Sequence, residues 1–272
     1  MQTVAIFGVG LIGGSFGLAL KKAGFGGQIL GVSSARTIDE ARAAGAIDCG
    51  ASMEEACREA DLLYLAQPIS RILELLPALD PLVREDTLIT DAGSTKLAIV
   101  ERAAASIHRA EFLGGHPMAG KEKRGASAAD GDLFRNRTYV LTPTQQTSPR
   151  VEEFKHWLEK IGTNVITMDA AVHDRTVAFT SHLPQLASTA LAGTVDGRVD
   201  TRVAGSGLLD TTRLALSAYD IWKDIISTNS GNIAEALDAY IAQLALIRAH
   251  LDSPALQQDF ERAANFRGGL HR

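Results

Sequence analysis

Thr3-Val4-Ala5-Ile6-Phe7-Gly8-Val9-Gly10-Leu11-Ile12-Gly13 is the stretch on which the reading of this chain turns. Residues 3–7 form a short apolar run bounded by glycine, as a strand buried in a parallel sheet does. Leu11, Ile12, Phe16, Leu18, Ala19 and Leu20 then recur at helical spacing over 11–23, with Lys21 and Lys22 at the end. The glycines from Gly24 to Gly27 stop that helix. Between strand and helix lies G-x-G-x-x-G, and this context is what gives the motif meaning. Gly8 permits the tight turn, Gly10 lets the backbone approach a pyrophosphate, and Gly13 lets the helix pack on the strand. Leu11 and Ile12, in the first helical turn, bring free N–H groups and partial positive charge toward the phosphates. The plainer alternative is a glycine-rich turn with no ligand.

Outward from this unit, strands and helices alternate. Short apolar runs at 29–32, 62–66, 87–90, 112–114, 139–142 and 165–168 read as strands. Helical patterns fill 37–44, 53–59, 69–79, 96–107 and 149–160, and Ser52 with Glu55 makes a capping box for the second of these. Such alternation implies an α/β fold, a doubly wound and mostly parallel sheet. After Met168 the strand pattern stops. Apolar residues recur at helical spacing in 172–194, 212–227 and 232–251. The expectation is a dinucleotide-binding domain over 1–168 and an all-helical domain over 169–272, joined without a linker. The stretch 143–149 reads as a polar surface loop.

Composition narrows the function classes. Of 272 residues, 46% are hydrophobic and 22% charged, as in folded globular chains. The net charge of -5 carries no basic footprint for nucleic acid. No run of about 18 uncharged apolar residues could span a membrane, and the first residues lack a signal-peptide pattern. Two cysteines, Cys49 and Cys57, make neither a disulfide scaffold nor a four-ligand zinc site. The expected setting is a reducing cytoplasm, and no metal is called for.

A site for NAD places Asp or Glu about 20 residues beyond the turn, on the ribose 2′-hydroxyl. Here Ser33 and Ser34 stand in that region, followed by Arg36. Hydroxyls and a guanidinium suit a 2′-phosphate, so NADP is the expected cofactor, with NAD possible. Other groups sit where strands end, the usual place for ligands in such sheets. Gln67 and Pro68 follow the third strand, Asp91 to Lys96 the fourth, and Gly114-Gly115-His116-Pro117-Met118-Ala119-Gly120 the fifth. Ser94 and His116 are the groups singled out to meet a substrate alcohol, His116 as general base. In the helical half, Pro184 breaks the pattern after His182. The break can expose His182, or His182 is a core residue at a kink. Asp210-Thr211-Thr212-Arg213 reads as a helix start, with Arg213 either binding a carboxylate or facing solvent.

Together these segments resemble the prephenate and arogenate dehydrogenases of tyrosine biosynthesis. The resemblance runs in order through Gly8 to Ser15, Asp91 to Lys96, Gly114 to Gly120, Ser181-His182-Leu183-Pro184 and Asp210 to Arg213, and Trp222 with Asn229 fits it. It implies a nicotinamide-dependent oxidative decarboxylation of an anionic cyclohexadienol, and a helical domain that makes a homodimer. By motif, His116 matches the catalytic histidine and Ser94 the serine that orients the ring hydroxyl. His182 matches a residue lining the substrate pocket, and Arg213 an arginine on a substrate carboxylate. Gly207-Leu208-Leu209 departs from the family's frequent phenylalanine-arginine lead-in to that arginine. Two other classes stay open. One is an NADP-dependent reductase of the β-hydroxyacid dehydrogenase or imine reductase type, for which Lys223 would be the proton donor. The other is a protein that binds NADP without turnover.

Overall fold

A computed structural model describes residues 1–121, 123, 125–143 and 148–270. Residues 144–147, the middle of the expected polar loop, lie outside the described residues. In chain order the first elements are β1 (Thr3–Phe7), α1 (Leu11–Lys22), β2 (Gln28–Val32), α2 (Ala35–Ala43), β3 (Cys49–Gly50), α3 (Met53–Glu59), β4 (Leu62–Leu65) and α4 (Ile69–Leu79). Then come β5 (Leu88–Asp91), α5 (Leu97–Ser106), β6 (Glu111–Pro117), β7 (Thr138–Pro143), α6 (Pro149–Ile161) and β8 (Asn164–Thr167). The eight strands make one sheet in the order β3-β2-β1-β4-β5-β6-β7-β8. Its strand pairs are parallel except β6 with β7.

Alternation along β1 and β4 sorts side chains onto two faces, because successive residues in a strand point opposite ways. Val4, Ile6 and Tyr64 join Phe16 and Leu20 of α1 and Phe154 of α6. Ala5, Phe7, Leu63 and Leu65 join Ile72 and Leu76 of α4 and Ile99 of α5. The sheet is thus covered by helices on both faces, which is why its central strands carry no polar side. The order reverses at β1, which has β2 on one side and β4 on the other. A crevice for a ligand forms beside such a switch, outside the carboxyl ends of the strands. Local chemistry agrees with the larger plan. The expected capping box of Ser52 and Glu55 is present on α3, and Gly162 ends α6 in the left-handed region at φ 88°.

The helical part consists of α7 (Ala170–Val177), a π-helical turn (Ala178–His182), α8 (Leu183–Val195), α9 (Ser206–Thr212), α10 (Tyr219–Ala249) and α11 (Ala255–Gly269). Short 3-10 turns lie at Thr201–Val203 and Arg213–Leu216. The backbone of α10 is non-helical at Asn229, φ -136° and ψ 23°. No described helix is long and apolar enough to cross a membrane. The chain forms two compact units, Met1–Val177 with Leu216–Asn229, and Ala178–Ala215 with Ser230–Arg272. The sequence boundary at 168/169 marks where strands end, and the compact units divide differently. Helix α7 and the first part of α10 go with the sheet, since Ile225 is buried in its core and Trp222 packs against it.

Cys57 is buried on α3, and burial pushes its thiol up to about 12. Cys49, on β3, is partly exposed. A disulfide-exchange reagent at mildly alkaline pH should therefore label Cys49 alone, with Cys57 reacting only on unfolding. Rapid labelling of both thiols in the folded protein would contradict this packing.

Candidate active site

The glycine turn has the shape of a phosphate cradle. Gly8 sits at φ +89°, and a Cβ there would stand 2.7 Å from the Ala66 carbonyl oxygen. A Cβ on Gly13 would collide with the Gly8 carbonyl, whereas one on Gly10 would meet nothing within 4 Å. So Gly8 and Gly13 are required by packing, and Gly10 faces open space at the start of α1. The first turn of α1, which includes Leu11 and Ile12, holds no acidic residue and no side-chain cap. Its N–H groups are oriented for an anion. Gln67 packs over Gly8, its Cγ lying 2.9 Å from where a Cβ would be, and Pro68 precedes α4 as its N-cap. Ser33 and Ser34 are exposed where β2 ends. The Ser34 hydroxyl caps α2 by accepting from the Thr37 N–H at 3.4 Å. Arg36 is exposed and pairs with Glu40 at 2.9 Å. No carboxylate stands between Val32 and Arg36 to repel a phosphate. These residues fit a nicotinamide dinucleotide.

Beside the turn, the buried Asp91 carboxylate at the end of β5 gathers the next two loops. It accepts the Gly93 N–H at 2.8 Å and the Gly115 N–H at 3.1 Å, and it pairs with the Lys96 ammonium. Both side chains are fully buried. Burial pushes the Lys96 ammonium below its usual value, against the pull of Asp91. Ser94 lies between two residues bound to this carboxylate, Gly93 and Lys96. His116 follows the third, Gly115. One carboxylate thus ties the Ser94 loop to the strand that bears His116.

His116 itself lies within β6 and not in a loop after it. It pairs with Val140 across the antiparallel β7. The glycines before it are set by crowding, since a Cβ on Gly115 would stand 2.6 Å from the Asp91 carbonyl oxygen. His116 is buried, and its Nδ1 is 2.9 Å from Nε2 of His173. Nδ1 of His173 is 2.8 Å from Asp174 Oδ1. Asp174 in turn accepts the N–H groups of Lys96 at 2.7 Å and Leu97 at 3.0 Å, where α5 begins. Asn229 donates to the Asp174 carbonyl at 2.8 Å.

In the second unit, His182 ends the π-helical turn and is 1% exposed. The chain is not broken at Pro184: helical backbone runs through the π turn into α8, with Pro184 in its first turn, and His182 is buried as a core residue there. Arg213 is exposed, and its segment closes α9 instead of opening a helix. Thr211 and Thr212 bond back to the carbonyls of Gly207 and Leu208 and so belong to the helix before them. The chain just after Arg213 is fastened to α8, where Gln185 donates to the Leu214 carbonyl at 2.8 Å and Ser188 accepts the Ala215 N–H at 3.1 Å. Lys223, the donor that a hydroxyacid-type reductase would need, is about half exposed, 4.0 Å from Asp220.

Comparison with known proteins extends this geometry. Residues 16–167 match the prephenate dehydrogenase nucleotide-binding domain, and residues 169–266 match the prephenate dehydrogenase dimerization domain. The chain belongs to the prephenate dehydrogenase family. It is 33% identical to prephenate dehydrogenase of Bacillus subtilis (strain 168), over 99% of this chain and 76% of that one. It superposes with a TM-score of 0.90 and 30% identity on prephenate dehydrogenase from Aquifex aeolicus, solved with hydroxyphenyl propionate and NAD+, covering 98% of this chain and 97% of that one. Synechocystis arogenate dehydrogenase gives a TM-score of 0.84 at 29% identity, over 98% and 99% of the two chains. Membership makes the chain a nicotinamide-dependent dehydrogenase with a Rossmann-type sheet domain followed by a helical domain.

Within this family fold, sequence reasoning named Asp91 and Lys96 only as part of a motif, without a role, and did not single out His173 and Asp174. Asp91 and Lys96 bracket Ser94, and a pair of opposite charges flanking a candidate site is a signal that could have found them. His173 and Asp174 sit in an ordinary helical pattern with no motif around them.

The two glycines make separable predictions. Gly10→Ala should leave stability within about 0.5 kcal/mol while weakening dinucleotide binding at least tenfold. Gly13→Ala should lower stability by roughly 2 kcal/mol, because the backbone must shift. Urea unfolding and cofactor titration of both variants check this. A Gly10→Ala protein that binds dinucleotide normally would contradict the cradle.

Proposed function

We propose that this chain catalyses the oxidative decarboxylation of a cyclohexadienol bearing a ring carboxylate, arogenate or prephenate, with NADP preferred over NAD. The observation that carries the reading is His116, a buried histidine at the carboxyl end of β6, whose neighbour Gly115 shares the Asp91 carboxylate with the Ser94 loop. That arrangement supports a base and a hydroxyl held in fixed relation on the edge of the sheet that also carries the glycine turn.

A nicotinamide dinucleotide bound here would supply the hydride acceptor for the carbinol carbon of the ring. Gly8, Gly10 and Gly13, with Leu11 and Ile12, would hold its pyrophosphate. Gln67 and Pro68 would border it. Ser33, Ser34 and Arg36 would meet the 2′-phosphate of NADP. His116 takes the hydroxyl proton as that oxygen becomes a carbonyl. The ring carboxylate then sits on the sp3 carbon para to the carbonyl, the vinylogue of a β-keto acid, so carbon dioxide leaves and its bonding pair flows through the dienone to the oxygen, completing the aromatic ring as a phenolate. The phenolate oxygen takes up a proton. Ser94 orients the hydroxyl toward His116. Arg213 binds a substrate carboxylate through paired hydrogen bonds, and His182 lines the substrate pocket.

A homodimer in a reducing cytoplasm completes the proposal. Phe260 and Phe266 on α11 are 71% and 70% exposed, with Leu244 and Leu251 also open. An apolar surface of this size on the half that matches a dimerization domain supports pairing of two copies. Both cysteines are free, as that compartment allows. Light scattering at micromolar concentration should give twice the chain mass, and a monomer would overturn the dimer.

The assay follows NADP reduction with arogenate and with prephenate, repeated with NAD. The expected result is reduction with at least one of the two, a lower KM for NADP than for NAD, and a loss of roughly 10²–10⁴ in kcat for His116→Asn. No reduction with either acid, or an unimpaired His116→Asn protein, would contradict the proposal.

A further inference from the structure

We infer that His173 and Asp174 are positioning residues that hold His116 in the one neutral tautomer able to accept a proton from substrate. The inference rests on the base role proposed for His116.

Hydrogen-bond polarity along the chain of three side chains supplies the argument. Asp174 stands at the start of α5, where the N–H groups of Lys96 and Leu97 donate to its Oδ1 and Oδ2 at 2.7 and 3.0 Å. Backbone N–H groups can only donate, and a helix N-terminus favours an anion. Both oxygens are therefore acceptors. The 2.8 Å contact between Asp174 Oδ1 and His173 Nδ1 then requires that His173 donates. A neutral imidazole carries a single N–H, so Nε2 of His173 has a bare lone pair. That lone pair lies 2.9 Å from Nδ1 of His116. Only one polarity makes this a hydrogen bond: His116 donates from Nδ1. The remaining nitrogen of His116, Nε2, is left unprotonated, which is the state a general base needs.

The reverse polarity would disable the site. If His173 carried two protons, its Nε2–H would donate to Nδ1 of His116. His116 would then keep its own proton on Nε2 and could accept nothing there. Among the described residues, the charged groups near the pair include Asp174 on α7, and Asp91 and Lys96, which pair with each other where β5 gives way to α5. Asp174 touches the His173 ring, and its charge stabilises the positive charge that the relay gains when His116 takes the substrate proton. His173 and Asp174 are each 1% exposed, so water does not compete for these bonds. The carbonyl of Asp174 is held by Asn229, which helps fix the carboxylate over the start of α5.

The direct test is nitrogen NMR on the unaltered protein with its histidines labelled with nitrogen-15 and NADP bound, the His116 signals being assigned by their loss in His116→Asn. Neutral His116 is expected as the Nδ1–H tautomer. The Nε2–H tautomer would overturn the inference, whatever the substrate is. Kinetics add a readout that a structural role would not move. His173→Phe should lower kcat roughly 10²-fold, the low end for general-base catalysis, with KM changed less than about threefold. In a His116→Asn background the same substitution should have no further effect, because residues that act as a unit are not additive. An equal further loss in that background would overturn it. If the unaltered protein oxidises neither arogenate nor prephenate, the proposed function falls, and the tautomer measurement still decides the inference.

Discussion

Asp91 ends β5 with its carboxylate wholly removed from water, and that charge has to be met inside the protein. An ionised group moved into a protein interior costs several kcal/mol unless it is paired and hydrogen-bonded. The Lys96 ammonium and the N–H groups of Gly93 and Gly115 supply what is needed. The consequence is geometric. The connection from β5 to α5 cannot move without unpairing a buried charge, and neither can β6, whose backbone donates to the same group. The crowding that keeps Gly115 a glycine follows from the same closeness. Ser94 and His116 are placed by this interaction before any ligand arrives.

Asp174 repeats the device one layer out. Its carboxylate satisfies two of the N–H groups that α5 leaves unpaired at its start, so a residue of α7 does the work that a local capping side chain would do. Lys96 is the N-cap position of α5 and offers no side-chain cap of its own, since its ammonium is turned to Asp91. The two carboxylates thus complement each other. One binds the Lys96 side chain and the other its backbone. The Asp174 carboxylate ties α7 to the start of α5, and Asn229 on α10 donates to the Asp174 carbonyl, so the compact unit extends past the last strand. Catalytic groups held on strands and helices in this way keep their geometry better than groups on free loops.

Much of the sheet domain can be read in the sequence because its signals are local. The strand, glycine turn and helix at 3–22 declare themselves by spacing, α4 falls on the expected 69–79, and the capping box of α3 needs only Ser52 and Glu55. Strand β3 has two residues, too few for any pattern. Helix α11 is invisible to periodicity because Gln, Asp, Glu, Arg and Asn dilute its apolar positions. The strand read over 112–114 stops short of His116 because glycines weaken strands in general, whereas Gly114 and Gly115 here answer to close neighbours across β5 and β7. The residues that orient His116 are a histidine and an aspartate next to each other in a helix. Nothing in a one-dimensional pattern separates them from a solvated pair. Their meaning comes from α7 lying against α5 and β6, which is a tertiary fact.

The central claim is that this scaffold presents His116 to the hydroxyl of a ring substrate beside a dinucleotide on the glycine turn. A crystal structure of the chain with NADP and a para-substituted phenol that mimics the product tests it most directly. The account predicts the phenol oxygen within hydrogen-bond distance of His116 Nε2, about 2.6–3.2 Å, with the pyrophosphate over Gly10. A phenol bound with its oxygen turned away from His116, or a dinucleotide seated elsewhere, would contradict it.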